Sequence, residues 1–297
     1  MRADLHTHSL YSDGAYPPAV LMERAKAAGL ACVALTDHDN MGGVGEAADA
    51  ARALGLTFVR GWEVSSYEGA CKVHSLGYGC RENEAYSRFL QERFSGALVR
   101  ADEMIRKANA LFHLDVTMDE VEGYHVRKHA PVHTMHVVTA FARRLNVKRG
   151  DLYRDVFARG GPAFSGACRP TPTDAINVIH ETGGVAVLAH PGRILDLAED
   201  EIMRYRSADD TERAVLREKS NELRDGLMCR LIEQGLDGIE CVYTTHTVTE
   251  TEHFSKLARR HGLLITGGSD YHQDGTRNVL GLPPFDADGK LLERLLS

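Results

Sequence analysis

The chain has 297 residues, 43% of them hydrophobic and 26% charged, with a net charge of −7 when histidine is counted neutral. That is the composition of an ordinary globular protein long enough for one large core, or for a core with an insertion. The acidic balance and the lack of a long basic run argue against a large non-specific nucleic-acid footprint, and no apolar run approaches the length needed to cross a bilayer.

Six cysteines, at 32, 71, 80, 168, 229 and 241, include no C-x-x-C pair. They match no common zinc motif, and a chain this long needs no disulfide framework, so they read as reduced thiols. The opening residues do not read as a signal peptide, and the expected compartment is the cytoplasm. Histidine is the unusual component, with 15 residues.

In chain order, one local unit recurs. Residues 2–8 open as a short apolar strand. A helix over 17–28 starts at Pro17-Pro18, sets Leu21, Ala25 and Ala28 on one face, and stops at Gly29 before ACVALTDH (31–38). A helix over 46–54 carries Ala47, Ala50, Ala51 and Leu54, and Gly55 leads to TFVRGWEVS (57–65), with KVHSLGYG (72–79) beyond. Farther on, Thr171 and Pro172 open a helix over 172–182, and Gly183-Gly184 precede VAVLAHP (185–191). Gly235 precedes DGIECVY (237–243), and a helix over 251–261 ends at Gly262 before LLITGGSD (263–270). Proline at helix starts and glycine just past their ends is the expected capping asymmetry. The apolar runs are too continuous for half-exposed strands; they predict strands buried on both faces, joined by right-handed βαβ units into a parallel sheet. Seven such strands predict a (β/α) barrel one strand short of the usual eight.

The unit lapses between about 82 and 168. Residues 84–113 and 137–158 carry helical pattern without a buried strand, which predicts an inserted helical subdomain over one end of the barrel. The expected division is a discontinuous barrel domain, 1–95 and 166–297, with a helical cap at 96–165. The mixed-charge stretch 196–233, with Leu216, Leu223, Leu227 and Leu231 on one helix face, reads as solvated surface.

Active sites of such barrels gather where the strands end. His6 and His8, at i and i+2, project to one side of the first strand, and Asp13 follows in the next loop. The second strand ends in Thr36-Asp37-His38-Asp39, the third delivers Glu63, the fourth His74, the fifth His190, and the last Asp270 and His272. The sixth offers Glu240 more weakly, with His246 beyond it. Asp37 and Asp39 also have an ordinary reading as caps of the next helix. Each residue taken singly has a bland explanation. Six of seven strands placing His, Asp or Glu at one end is a joint pattern that scattered structural residues would not produce.

Six histidines (6, 8, 38, 74, 190 and 272) and three carboxylates (Asp13, Glu63 and Asp270) make nine ligands. A catalytic zinc uses about three protein ligands, so nine suffice for two or three divalent ions. Imidazole and carboxylate without thiolate suit Mn, Fe or Zn alike. Three ions would bring more positive charge than three carboxylates cancel, which favours a bound hydroxide and an anionic substrate such as phosphate.

These residues resemble the polymerase and histidinol phosphatase (PHP) superfamily of metal-dependent phosphoesterases. The matching motifs are DLHTHSLYSDG (4–14), LTDHDNMGG (35–43), GWEVS (61–65), VHSLGY (73–78), LAHPGR (188–193) and TGGSDYH (266–272). The resemblance is closest to stand-alone nucleotide and small-molecule phosphatases with a helical insertion after the fourth strand. It implies a distorted (β/α)7, TIM-like barrel with a trinuclear site. His6, His8, Glu63 and Asp270 would hold one metal, Glu63, His74 and His190 a second, and Asp13, His38 and His272 a third. Glu63, His190 and Asp270 are the expected catalytic centre. Such relatives often carry Gly-Arg-Pro-His-Ile-Ala in the insertion; here His136 matches the His and Thr134 stands in place of the Arg. Where they have Tyr-Val-Pro-Arg, this chain has Phe164-Ser-Gly-Ala167. Arg193, His136 and Arg169 are therefore the expected phosphate-contacting residues, with Arg127 and Lys128 as substitutes for the missing arginines. His125 and His129 read equally well as solvated surface.

The expected function is hydrolysis of a phosphate ester of a small nucleotide or sugar phosphate, monoester or cyclic diester, by hydroxide bridging the metals and attacking phosphorus. Alternatives within the class are a cyclic-phosphate phosphodiesterase, a 3′,5′-nucleoside bisphosphate phosphatase and an enzyme trimming RNA 5′ ends. Outside it stand an H-x-H amidohydrolase, which fewer ligands would suit, and a non-catalytic metal-binding domain. Gly43-Val-Gly-Glu-Ala-Ala48 fits G-x-G-x-x-A but falls too far past its strand for a dinucleotide fingerprint. No membrane contact and no obligate protein partner is expected.

Overall fold

The computed structural model describes residues 1–69, 71–124, 131–195, 197, 201, 204–205 and 208–296. The chain divides into two compact units, Met1–Tyr86 with Pro170–Ser297, and Ser87–Arg169. These boundaries fall outside the 95/96 and 165/166 expected from sequence.

In the first unit, eight strands form one nearly closed TIM-like barrel sheet: β1 (Arg2–Asp4), β2 (Cys32–Leu35), β3 (Thr57–Glu68), β4 (Cys71–Tyr78), β5 (Val185–Leu188), β6 (Gly238–Tyr243), β7 (Leu264–Gly268) and β8 (Phe285–Asp286). The sheet order is β7-β6-β5-β4-β3-β2-β1-β8. Beyond β1 the chain returns to β7: Leu5 N donates to Gly267 O at 3.2 Å, and Thr7 pairs with Tyr271 in parallel.

The continuous apolar runs are explained by two buried faces. In β2, Cys32 and Ala34 join the barrel interior with Ala3, Leu76, Tyr78 and Val187. Val33 and Leu35 instead join the layer of Leu21, Ala25, Ala47 and Ala51, which the helices Pro18–Ala27 and Val44–Leu54 supply. Alternate residues thus serve opposite faces, and each fully buried side chain such as Leu35 contributes ~2 kcal/mol. Gly55 ends the second helix at φ +66°, the left-handed conformation that lets the chain turn back towards β3.

Three expectations change. The sheet is mixed, because β4 pairs antiparallel with both β3 and β5. A parallel return needs a crossover of a dozen residues or more, and the few residues between β3 and β4 allow only a hairpin. An eighth strand, β8, runs antiparallel to β1. Its two residues are too few to show as an apolar run, yet Phe285 enters the barrel interior, and Leu291, Leu292 and Leu295 of the helix Gly289–Leu296 join it there. The stretch 196–233 is also not simply solvated. Its helices Asp210–Glu218 and Asn221–Glu233 bury Leu216, Leu227 and Leu231 together with Arg217 and Arg224, the latter only 1% exposed. Both arginines reach Glu250, at 3.1 and 3.3 Å, which supplies the counter-charge that burial of a cation requires.

The second unit is helical. It takes in most of the long helix Glu84–Phe112 and the helices Met118–Glu122, Thr134–Leu145 and Arg149–Leu152. They pack around Met104, Ile105, Ala108, Val137, Phe141 and Phe157. His125, Arg127, Lys128 and His129 lie outside the described residues. Among the described residues no helix is long and apolar enough to cross a membrane.

Candidate metal centre

β1, β5 and β7 end earlier than their apolar runs suggest, because carboxylates take over the backbone N–H groups that follow. Asp4 accepts from the N–H of His6 (3.3 Å), Ser269 (2.9 Å) and Gly281 (2.8 Å). Asp37 accepts from Ser9 N at 2.7 Å and from the hydroxyls of Ser9 and Ser12. Glu240 accepts from His190 N at 2.7 Å. Each swap satisfies a buried donor that the sheet no longer serves and frees the chain to turn its side chains over the barrel mouth. Asp37 therefore secures the 9–13 loop and does not cap a helix, while Asp39 accepts from Ser65 N at 2.8 Å. The turn costs local strain: Asp39, His190 and Asp270 all have positive φ, 49°, 26° and 55°, at about 1–3 kcal/mol each.

The side chains converge on Glu63, which is fully buried near the middle of β3. His74 Nδ1 and His190 Nε2 lie 2.5 and 3.0 Å from Oε1. His38 Nδ1 lies 2.9 Å from Oε2, and His6 Nε2 and His8 Nε2 each 3.3 Å from it. Asp270 Oδ1 is 3.1 Å from His8 Nε2 and 3.5 Å from His6 Nε2. Towards solvent, His272 Nε2 approaches Asp13 Oδ1 at 3.1 Å, and Asp13 also lies 3.8 Å from His38 and 3.9 Å from His8.

Three groups of potential ligand atoms, each mutually within 4.8 Å, result: His6, His8, Glu63 and Asp270; His38, Glu63 and His74; and His8, Asp13, His38 and His272. The second includes His38, which the resemblance gave to the third ion alone, while His190 reaches it only through Glu63. His74 sits near the start of β4, and that strand's reversed direction brings it to the same end as the others.

A cation fits this arrangement. His6 Nε2, His8 Nε2, His38 Nδ1, Glu63 Oε2 and His74 Nε2 are buried and have no hydrogen-bond partner among the described residues, although several lie within 3.5 Å of one another. Buried polar atoms left so are costly unless a further species completes them. The charges agree. Burial alone would raise the Glu63 carboxyl, but the imidazoles of His74, His38, His6 and His190 hold it well below the ordinary range. Burial disfavours the His8 imidazolium, yet Asp270 and Glu63 outweigh it and push the ring up to about 10. These rings are held in a negative field of the kind a divalent ion would occupy.

Two residues outside the cluster orient it. Glu240 Oε1 lies 3.0 Å from His6 Nδ1 while its Oε2 takes the His190 N–H. A carboxylate there fixes the proton on Nδ1 and leaves Nε2 as the ligand atom. Glu240→Gln would set an amide NH₂ against that N–H, so metal affinity is expected to fall about 10- to 100-fold, read by competition with a chelating dye. Close approach matters as well: a Cβ at Gly268 would come within 2.4 Å of the His6 Cβ.

His246 braces the turn Pro191–Arg193 by accepting the Gly192 N–H at 3.1 Å while donating to Cys241 O at 2.9 Å. Burial lowers its pKa from 6.5 to about 4. The unfolded chain binds this proton from about pH 6.5 downward and the fold only near 4, so stability is whole above 6.5 and is lost as pH falls towards 4, by about 3 kcal/mol. His246→Gln should flatten that slope in thermal melts between pH 4 and 7.

Of the expected phosphate contacts, Arg193 is at the cluster: its Nη1 donates to Asp270 Oδ2 and Tyr243 Oη, each at 3.0 Å. His136 and Arg169 belong to the helical unit. His136 Nδ1 accepts the His133 N–H at 3.0 Å, and Arg169 donates to Ser165 O and lies over the Phe164 ring. Sequence reasoning missed the part played by Asp4 and by Asp37, and gave Glu240 too little weight; the two aspartates lie inside metal-type motifs, and that position was the available signal.

Residues 4–128 match the PHP domain. Over 287 residues the chain is 32% identical to a phosphoribosyl 1,2-cyclic phosphate 1,2-diphosphodiesterase of Eggerthella lenta, covering 92% of this chain and 94% of that one. It is 33% identical to a 3′,5′-nucleoside bisphosphate phosphatase of Chromobacterium violaceum, covering 92% and 87%. The chain belongs to the PHP family. Among solved structures, this PHP protein is similar to an amidohydrolase from Chromobacterium violaceum with bound sulfate and no metal (TM-score 0.71, 29% identity, 99% of this chain and 97% of that). It is also similar to a Bifidobacterium adolescentis protein provisionally assigned as a metal-dependent phosphoesterase (TM-score 0.68, 26% identity, 99% and 95%). The PHP chain is accordingly a hydrolase, a metal-dependent phosphoesterase that uses divalent ions.

Proposed function

We propose that this PHP protein hydrolyses a phosphate ester of a small nucleotide or sugar phosphate, as monoester or cyclic diester, with two or three Mn, Fe or Zn ions. The observation that carries the reading is Glu63, one carboxylate shared by five imidazoles. A carboxylate so placed serves more than one ion. His6, His8, Glu63 and Asp270 would hold the first, Glu63 and His74 with His38 and His190 the second, and Asp13, His38 and His272 with His8 the third. When bound, such ions supply Lewis acidity, bringing a water's pKa to about 7 and neutralising charge on phosphoryl oxygens.

The remaining work falls to the chain. Glu63, His190 and Asp270 form the catalytic centre. Arg193, 51% exposed and held at Nη1 by Asp270 and Tyr243, orients the phosphate with its remaining donors. His136 and Arg169 are kept as further substrate contacts. The named activities of the relatives, and the sulfate bound in the similar Chromobacterium violaceum structure, support a phosphorylated substrate of this size; 5′-3′ exoribonucleases at 26% identity keep a short RNA end as the second reading. Six free thiols suit a cytoplasmic protein.

The test is reconstitution. Protein stripped by chelator and reloaded with Mn²⁺, Fe²⁺ or Zn²⁺ should release phosphate from phosphomonoesters or open cyclic phosphates. No metal-dependent release from any of them would sink the proposal, and a single ion per chain would favour amidohydrolase chemistry.

A further inference from the structure

The barrel sheet ends at β7 on one side and at β8, beside β1, on the other, so its seam lies between the segments that follow β1 and β7. Ligand candidates of the outer group stand on both sides of that seam. His8 and Asp13 follow β1, His272 follows β7, and Asp13 Oδ1 meets His272 Nε2 across it at 3.1 Å. Few backbone bonds hold the seam. Asp4 accepts the Ser269 N–H at 2.9 Å, His8 N donates to Tyr271 O at 2.9 Å, and Ala15 N donates to His272 O at 2.8 Å.

Just past His272 the seam is crossed again, by side chains. Asp274 takes three donors on its two oxygens. Tyr16 Oη donates to Oδ2 at 2.9 Å, Arg24 Nη2 donates to the same oxygen, and Tyr271 Oη donates to Oδ1 at 2.7 Å. Arg24 also gives its Nε–H to Tyr271 Oη at 3.2 Å, and its guanidinium lies 4.3 Å from the centre of the Tyr16 ring. The two tyrosine rings are parallel to within 3° and 6.3 Å apart. Tyr271 is buried in the layer of Leu21, Met22 and Ala25, with Tyr16 packed against it. Arg24 stands on the helix Pro18–Ala27, so the clasp ties both loops to a fixed element.

The Asp274 side chain is exposed, and exposed ion pairs hold a fold only weakly. What three donors on one carboxylate fix is geometry. Tyr16 comes three residues after Asp13, and Asp274 two after His272, so the clasp sets how that pair meets. We propose that Asp274, with Tyr16 and Arg24, is a positioning residue for the outer ion, holding Asp13 and His272 against each other across the seam. The inference rests on the reading in which Asp13, His38 and His272 with His8 hold that ion. Asp274 touches neither ion nor substrate and acts through Asp13 and His272. Without the clasp, an ion must itself gather the two loops, and its apparent affinity falls with the fraction of chains already so arranged.

The test is a calorimetric titration of the chelator-stripped full chain with Mn²⁺ alone. The step that Asp13→Asn abolishes identifies the outer ion. Asp274→Asn keeps the volume, loses the charge and turns an NH₂ towards the donors. It should weaken that step about 10-fold and leave the others as they are. Tyr16→Phe keeps the ring and loses one bond; it should weaken the same step by less, and it carries the test if Asp274→Asn does not fold. Adding Asp274→Asn to Asp13→Asn should change Mn²⁺ uptake no further, because both act on one ion. Excess Mn²⁺ should restore turnover of p-nitrophenyl phosphate by Asp274→Asn, which a purely structural defect would not allow. An outer step unchanged in both variants overturns the inference and leaves the metal centre standing. Weakening of every step alike, additive with Asp13→Asn, makes Asp274 a structural residue and also overturns it. Unaltered uptake by Asp13→Asn removes the outer ion itself, and the inference with it.

Discussion

Glu63→Gln is expected to abolish phosphate release and to empty the chain of metal in one step. The carboxylate touches the nitrogens of His6, His8, His38, His74 and His190 at 2.5 to 3.3 Å. Glutamine keeps the volume but offers one oxygen, no charge, and an NH₂ that points a proton at whatever it faces. Two of the three ligand groups contain Glu63, so both lose their shared anion, and the third loses the neighbour that holds His38. Loss of the ions forfeits the nucleophile and the charge neutralisation together, several kcal/mol each. Activity should fall by more than about 10⁴-fold, or about 5.5 kcal/mol of barrier. Metal analysis by plasma mass spectrometry checks the cause: a variant that keeps two ions per chain while losing activity would contradict this account.

Asp13→Asn is expected to produce a partial defect. Its side chain is 57% exposed, and it is the sole carboxylate of the group it shares with His8, His38 and His272. Partial burial would raise its carboxyl, but His272, His38 and His8 outweigh that and hold it below the ordinary carboxylate range. Removing the charge leaves three neutral ligands at the most solvated part of the cluster. The His6–His8–Glu63–Asp270 group keeps both of its carboxylates. The stoichiometry should therefore drop by one ion while the inner site stays filled, and kcat should fall about 10²- to 10³-fold, the usual cost of removing one electrostatic stabiliser from a transition state. Loss of all metal on this substitution would show that the groups load only as a unit.

These two residues also show how much could be read before folding. Asp13 and Glu63 both stand out in the sequence as candidate ligands, because each lies near the end of an expected strand or in the loop after it. Their unequal weight is not legible. Glu63 is a hub because β3 pairs with a reversed β4, which sets His74 against it; the short link between the two runs implies the hairpin, but only closure of the barrel brings His6, His8, His38 and His190 to the same carboxylate. Asp4, Asp37 and Glu240 carry the same lesson. Each is an ordinary acidic residue in or near a strand until the barrel closes and an N–H from the loop after another strand arrives within 3 Å of it. Arg224 looked like solvated surface because its partner, Glu250, is 26 residues away on another helix.

The amino-acid sequence by itself determined the alternation of capped helices with doubly buried strands, the inserted helical stretch, and the collection of histidines and carboxylates at one end. Those are local matters: helix period, capping chemistry and strand burial act over a few residues, and their signals lie within those residues. The tertiary structure alone decided the pairing of β4 with β5, the short β8, and the carboxylates that turn the chain over the mouth. Each depends on contacts between residues tens to hundreds of positions apart, where the deciding quantity is a distance that only closure of the barrel sets.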